Sequence, residues 1–259
     1  MSQTNPIQIG LHAQVALVTG ASGELGRVIA LTLARSGAKV AIHYHQNRTS
    51  AETLLSQITD LGVEACVVQA DLANASDVRR MHAEVESHLG AVTILVLNAV
   101  RQYTWKPLLE QDPQDFQGQF DTIVMQAVYM TQAFVPAMVK AGHGRVIAIS
   151  TECVMQCLPT QSAYVSGKRG LDGLMRVLAR EVGPNGITVN QVAPGWTVSE
   201  KDRIAHTERQ EGYESGVPLR RRGTDQDIAN AVVFLASDLA SFITGAVIPV
   251  SGGNVMPTV

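Results

Sequence analysis

Short runs of apolar and β-branched residues recur along the chain, at Val15–Thr19, Lys39–His43, Ala65–Gln69, Ile94–Leu97, Arg145–Ser150, Thr188–Ala193 and Ala246–Val250. Most are continuously apolar rather than alternating, the pattern of strands covered on both faces. Between them lie helical stretches, near residues 25–35, 50–61, 75–89, 114–140, 162–182 and 225–236. This alternation predicts right-handed βαβ crossovers feeding a single parallel sheet, with helices on both faces. Gly37 and Gly62 close the first two helices, and Gly183-Pro184 stops the long one that begins near Ser162. Without an internal repeat or a linker-like shift in composition, residues 1–259 are expected to form one domain, with 1–12 as an N-terminal extension. Residues 196–223 are polar and irregular, with glycines at 212, 216 and 223, and follow a strand end. That segment reads as a substrate lid or as a plain surface excursion.

Composition narrows the setting. The chain is 46% hydrophobic and 17% charged, enough to bury a core without cross-links. A net charge of −3 gives no basic stripe for nucleic acid. The N-terminus lacks the regions of a signal peptide, and no apolar run approaches the roughly 20 residues that span a bilayer, so no membrane partner is expected. Three cysteines without a Cys-x-x-Cys pair suggest a reduced, cytoplasmic protein, and seven histidines without ligand-like spacing suggest no metal site.

The first strand runs into Thr19-Gly20-Ala21-Ser22-Gly23-Glu24-Leu25-Gly26 and then a helix. Glycines there permit a tight turn and close approach of backbone to a pyrophosphate, which the helix N-terminus attracts. Gly20, Ser22, Gly23, Leu25 and Gly26 are therefore candidate cofactor contacts. The alternative is a strand–helix turn with no ligand. The second strand ends Tyr44-His45-Gln46-Asn47-Arg48, without the acid that would receive a ribose 2′-hydroxyl. His45 and Arg48 are placed instead to meet a 2′-phosphate, which favours NADP(H) over NAD(H), unless Arg48 is simply solvated. Asp71-Leu72 follows the third strand and is placed to meet the adenine edge, or to cap the next helix.

Tyr164 and Lys168 fall one helical turn apart on one face. A tyrosine with a pKa of about 10 is a poor acid at neutral pH, and a nearby ammonium lowers that value. Thr151 lies thirteen residues before Tyr164, at the end of a strand on the edge where parallel sheets bind ligands.

These motifs, in this order, resemble the short-chain dehydrogenase/reductase family over nearly the whole chain, from Val15 to about Gly253. The family's Thr-Gly-x-x-x-Gly-x-Gly resembles Thr19 to Gly26, its Asn-Asn-Ala-Gly resembles Leu97-Asn98-Ala99-Val100, and its Pro-Gly is Pro194-Gly195. The stretch from Asp227 to Gly253 is similar to 3-oxoacyl-(acyl-carrier-protein) reductase-like members. The resemblance implies a Rossmann-type α/β fold, a doubly wound sheet of about seven strands, and hydride transfer between nicotinamide and a carbonyl or secondary alcohol. It implies that Tyr164 is the general acid, that Lys168 lowers its pKa and holds the nicotinamide ribose, and that Thr151 stands for the family's serine. Asn98 and Ala99 would support the sheet near the cofactor. Val192, Pro194 and Gly195 would line the nicotinamide pocket, with Thr197 touching the carboxamide.

Four departures bear on activity: Glu24 in place of a glycine, Val100 in place of the last glycine of the second motif, Thr151 for serine, and Ile123 at the position of an asparagine that helps hold a relay water. Gln126, one turn on, is a candidate substitute. Two readings follow: an active oxidoreductase, or a nucleotide-binding protein whose chemistry has eroded. The substrate is expected to be a small carbonyl compound or an acyl thioester. Only Lys140 is firmly cationic at the long-helix ends where acyl-carrier contacts fall in the family. Arg220-Arg221-Arg222 reads as an anion handle, a solvated run or partners for nearby acids. Cys153, Met155 and Cys157 read as apolar fillers near the substrate, and Tyr103 and Trp105 as pocket walls or surface packing. The helices at 114–140 and 162–182 are expected to form a subunit interface, as in the family's tetramers.

Overall fold

The computed structural model describes residues 9–257, so most of the expected N-terminal extension lies outside the described residues. Seven strands form one parallel sheet: β1 (Val15–Val18), β2 (Lys39–Tyr44), β3 (Ala65–Gln69), β4 (Ile94–Leu97), β5 (Gly144–Ile149), β6 (Ile187–Pro194) and, last in the chain, β9 (Val247–Val250). Their order is β3-β2-β1-β4-β5-β6-β9, and every pairing is parallel. The order reverses at β1–β4, the switch point at which such sheets open a crevice.

The continuous apolar runs have a simple cause. Val15 and Leu17 of β1 enter one core, Ala16 and Val18 the other; β4 divides Leu95 and Leu97 from Ile94 and Val96 in the same way. Each residue of β1 and β4 is therefore covered, whichever way it points. Helices α1 (Glu24–Arg35), α2 (Arg48–Thr59) and α10 (Asp225–Ala236) cover one face. Helices α3 (Ala75–Leu89), α4 (Pro113–Gln119), α5 (Gln126–Ala141) and α7 (Ser162–Val182) carry or adjoin the other core. The doubly wound α/β fold expected from the sequence is the one observed.

Two segments differ from the expectation. The single helix expected over 114–140 is α4, a π-helical turn at Phe120–Met125, and α5. Although Pro113–Ala141 is long and apolar enough to cross a membrane, half of its apolar window is buried within the fold. Residues 196–223 are not plain irregular chain. Thr197–Val198 (β7) pairs with Gly223–Thr224 (β8), enclosing α8 (Glu200–Ala205), which starts with a Ser199/Asp202 capping box, and α9 (Glu211–Glu214). A short helix, α6 (Cys153–Gln156), follows β5. Elements this short leave no periodic trace for a sequence reading.

Candidate active site

Four strand ends are joined beneath the glycine loop. The buried Thr19 hydroxyl accepts from the backbone N–H groups of Asn98 (2.8 Å) and Ala99 (3.0 Å), while Asn98 Nδ2 donates to Thr19 O (2.9 Å). Gly20 takes φ +65°, and its N–H donates to His43 Nδ1 (2.9 Å). His43 Nε2 in turn donates to Ala70 O (3.1 Å). Sequence reasoning treated His43 only as a strand residue, yet it ties the loop after β1 to the ends of β2 and β3. The Nδ1 contact requires the neutral imidazole, and burial pushes its pKa down to about 4 against the opposing pull of Ala70 O.

This lowering has a signed consequence. The unfolded chain, with histidine at about 6.5, binds the proton that the fold rejects, so this stabilisation is full above about pH 6.5 and declines as pH falls toward 4. The expected loss is about 3 kcal/mol. Urea unfolding between pH 7 and pH 4.5 should show a steeper decline in the native chain than in His43→Gln; equal slopes would show that His43 is not the titrating group.

Gly23 is the N-cap of α1 and offers no side-chain cap, leaving the first-turn N–H groups available beside Ser22 and Leu25. Glu24, the residue that replaces a glycine, turns away from this end. Its Oε2 accepts from the backbone N–H of Glu200 at the start of α8 (3.0 Å), and Arg27 pairs with the Glu200 carboxylate (3.1 Å). A carboxylate beside a pyrophosphate would repel it, and this one is instead held at another helix N-terminus.

A crevice of about 660 Å³ runs along the sheet edge past His45, Asp71, Leu72, Ala99 and Gln126. Asp71 does not cap α3, a role taken by Asn74; its Oδ1 accepts from Ala73 N (3.0 Å). Arg48 is drawn along α2 to Glu52 (2.7 Å) and is largely exposed, so the structure does not bring it to the crevice with His45. The cation that shares a recess with His45 is Arg80, which donates to Gln69 O (3.2 Å) and pairs with Asp77 (3.4 Å).

At the chemical end, β5 delivers buried Thr151 to the sheet's carboxyl edge, and α7 presents Tyr164 and Lys168. Lys168 is buried, donates from Nζ to Ile149 O (2.6 Å) and lies 5.8 Å from the centre of the Tyr164 ring. Burial brings Lys168 down to about 8. Burial also pushes the Tyr164 phenol above its ordinary range, with Cys153 adding to the rise and the Thr151 hydroxyl opposing it. Lys168, whose ammonium is engaged with Ile149 O, is not among the groups that shift this phenol. Desolvation dominates, and Tyr164 is held as a neutral proton donor.

A cavity of about 450 Å³ opens beside this group, walled by Tyr103, Trp105, Thr151, Tyr164, Trp196 and Tyr213. Val100 and Arg101 line both this cavity and the crevice, so the two adjoin. Trp105 stacks on Tyr164, with ring centres 5.9 Å apart and planes at 28°. Buried Glu152 accepts from Tyr213 Oη (2.9 Å) and Asn254 Nδ2 (3.0 Å), and Tyr213 Oη accepts from Trp196 N–H (3.0 Å). A Cβ on Gly195 would lie 2.8 Å from that Tyr213 hydroxyl, which explains the glycine after Pro194. Thr197 Oγ1 donates to Gly195 O (3.0 Å). Sequence reasoning missed Glu152 and Tyr213.

The arginine run is absorbed by acids and carbonyls. Arg221 pairs with Asp227 (2.7 Å), Arg220 donates to Ser215 O, and buried Arg222 pairs with Asp202 (2.8 Å) while lying 4.6 Å from the Trp196 ring centre. Cys153 lines the cavity with its thiol pushed up by burial; Cys157 is exposed. Ile123 is buried on the π-helical turn, facing Gly167 between Tyr164 and Lys168, where an added Cβ would meet Ile123 Cδ1 at 3.0 Å. Gln126 donates to Ala99 O (2.6 Å), and its buried Oε1 has no partner among the described residues.

A glycine loop at a switch point, a crevice along the strand ends and a half-buried tyrosine beside a buried lysine define a dinucleotide-dependent oxidoreductase. The chain belongs to the short-chain dehydrogenase/reductase family. The family model described as enoyl-(acyl carrier protein) reductase matches residues 20–254. The 3-oxoacyl-[acyl-carrier-protein] reductase FabG of Staphylococcus epidermidis is 39% identical over 241 residues, covering 93% of this chain and 98% of that one. Its Staphylococcus aureus counterpart is 40% identical over 243 residues, with the same shares of 93% and 98%. Among solved structures, the promiscuous reductase LugOII, which catalyses keto-reduction at C1 during lugdunomycin biosynthesis, superposes with a TM-score of 0.87 at 32% identity, covering 95% of this chain and 99% of that one. A gluconate 5-dehydrogenase from Burkholderia cenocepacia, in complex with NADP and tartrate, gives 0.87 at 29% identity, covering 95% and 97%. Of the two readings drawn from the sequence, the oxidoreductase is the one these relationships support.

Proposed function

We propose that the chain reduces the carbonyl of a small ketone or a 3-oxoacyl thioester with NADP(H), using Thr151, Tyr164 and Lys168. The observation that carries this reading is the half-buried Tyr164, kept protonated beside the Lys168 ammonium, opening onto a cavity that adjoins the dinucleotide crevice. The residues fit a dinucleotide: the loop cannot accept a Cβ at Gly26, the α1 N-terminus lacks a side-chain cap, and Gln126 turns an unpartnered oxygen inward. Gly20, Ser22, Gly23, Leu25 and Gly26 would hold its phosphates, Asp71 and Leu72 the adenine, and Asn98, Ala99, Pro194, Gly195 and Thr197 the nicotinamide half.

A bound nicotinamide supplies or accepts the hydride. Thr151 orients the carbonyl oxygen, Tyr164 gives it a proton from Oη, and Lys168 stabilises the phenolate left behind. Ile123 puts an alkyl group where the family's relay asparagine lies, so reprotonation of Tyr164 takes another route.

The preference for NADP(H) rests on the absence of an acid directly after β2 and on Arg80, which shares a recess with His45, Asp71 and its partner Asp77, not on Arg48. The Glu24–Glu200 contact supports reading residues 196–223 as a substrate lid resting on the phosphate-binding helix. The apolar groove of Val128, Val135, Pro136, Leu174 and Leu178 between α5 and α7 supports a homotetramer, and the overall composition a cytoplasmic enzyme.

Fluorescence titration with NADPH and NADH, followed by a ketone and thioester panel, tests this reading. NADPH is expected to bind about tenfold more tightly than NADH, one charge-assisted contact's worth, and to be consumed by at least one member of the panel. Binding of neither dinucleotide would overturn it.

A further inference from the structure

Tyr103 stands in the segment that leaves β4, half-buried, with its hydroxyl at the N-terminus of the catalytic helix. Helix α7 starts without a side-chain cap from its N-cap residue Gln161, so its first-turn N–H groups need acceptors from elsewhere. The Tyr103 oxygen provides one, accepting from the backbone N–H of Tyr164 at 2.9 Å. A phenol has a single proton to donate. With its oxygen turned to the helix, that proton points elsewhere, and it meets no acceptor among the described residues. What lies beside it is the substrate cavity, which Tyr103 lines together with Thr151 and Tyr164. Accepting a hydrogen bond at the positive end of a helix strengthens a hydroxyl as a donor. Burial also holds the Tyr103 phenol above its ordinary range, so the proton stays in place at neutral pH.

The position of this donor selects among substrates. The hydroxyl of Tyr103 sits at the backbone end of Tyr164, and the reacting oxygen belongs at the phenol end of the same residue. Donors separated by one tyrosine side chain bracket a group a few atoms long. Trp105 packs against both rings, 6.4 Å from Tyr103 and 5.9 Å from Tyr164, which keeps the pair on one wall. Resting on the reaction proposed above, we infer that Tyr103 is a substrate-orienting residue: its hydroxyl donates to a second acceptor oxygen of the substrate, so the cavity prefers ketones with a second carbonyl or ester oxygen near the reacting carbonyl.

Both tryptophans of the chain line this cavity, so their fluorescence reports occupancy without turnover. In the NADPH-loaded chain, ethyl acetoacetate is expected to bind about tenfold more tightly than 2-pentanone, and Tyr103→Phe should erase that difference, the effect of one hydrogen bond. In turnover, loss of the acceptor for the Tyr164 N–H should affect both ketones alike, and Tyr103→Phe should in addition raise KM for the keto ester about tenfold more than KM for 2-pentanone, with kcat changing by the same factor for the two. Equal losses on both ketones would reduce Tyr103 to a helix cap and overturn the inference. So would native binding that does not distinguish the two ligands, or a preference that survives in Tyr103→Phe. Failure to consume NADPH with any ketone would instead sink the proposed reaction, because the binding comparison does not depend on it.

Discussion

Tyr164→Phe is expected to lower kcat for NADPH-dependent ketone reduction by about 10³-fold, within the range for losing a positioned general acid, while NADPH affinity stays within about twofold. The substitution removes one buried oxygen from a ring that Trp105 and the α7 backbone already hold, so the cavity keeps its shape. Lys168→Met should produce a loss of similar size for a different reason: the charge that stabilises the phenolate disappears. Lys168 also carries a distinctive stability signature. Its pKa in the fold, about 8, lies below its ordinary 10.5, so the fold bears the cost of burying an ammonium at neutral pH. Lys168→Met is therefore expected to unfold in urea no more easily than the native chain at pH 7. A clear drop in stability would mean that the contact with Ile149 O outweighs desolvation.

Gly26→Ala should be the most disruptive single methyl addition in the phosphate loop. Its Cβ would lie 2.3 Å from Gly20 O, 2.8 Å from Asn98 Nδ2 and 2.9 Å from Ala21 Cα. None of these can withdraw freely, because Gly20 is fastened to His43 and Asn98 to Thr19. We expect a loss of about 3 kcal/mol in urea unfolding, at the upper end for overpacking, with NADPH binding lost as the loop is displaced. Gly62→Ala provides the contrast. That glycine has φ +75° but open space around its Cβ position, so only the left-handed backbone cost of about 1–2 kcal/mol applies. Similar losses in the two variants would show that the loop yields more readily than its hydrogen bonds imply.

The frame was legible because the inner strands β1 and β4 run between two cores, leaving continuous apolar runs in the sequence. Tyr164, Lys168 and Thr151 were legible because one helical turn and one strand end fix them locally. The rest depends on contacts between residues remote in sequence. His43 meets Gly20 and Ala70 across separate crossovers, and a histidine within a strand carries no mark of that duty. Glu152 meets Tyr213 and Asn254, 61 and 102 residues away, so its role as the anchor of segment 196–223 emerges only in the folded chain. Arg48 is instructive in the other direction: its partner Glu52 lies at i+4 on the same helix, a spacing present in the sequence that argues for a solvated pair rather than a phosphate contact. The π-helical turn at Ile123 is a local irregularity that apolar periodicity runs straight through.

The claim on which the chemistry rests is that a neutral Tyr164 donates its proton while Lys168 is an ammonium. Its most direct test is the pH dependence of kcat/KM for NADPH-dependent ketone reduction between pH 6 and 9.5. Reduction should hold a plateau at low pH and fall as pH rises through about 8, where Lys168 loses its charge, and Lys168→Met should lack that limb. A flat profile, or the same falling limb in Lys168→Met, would contradict the assignment.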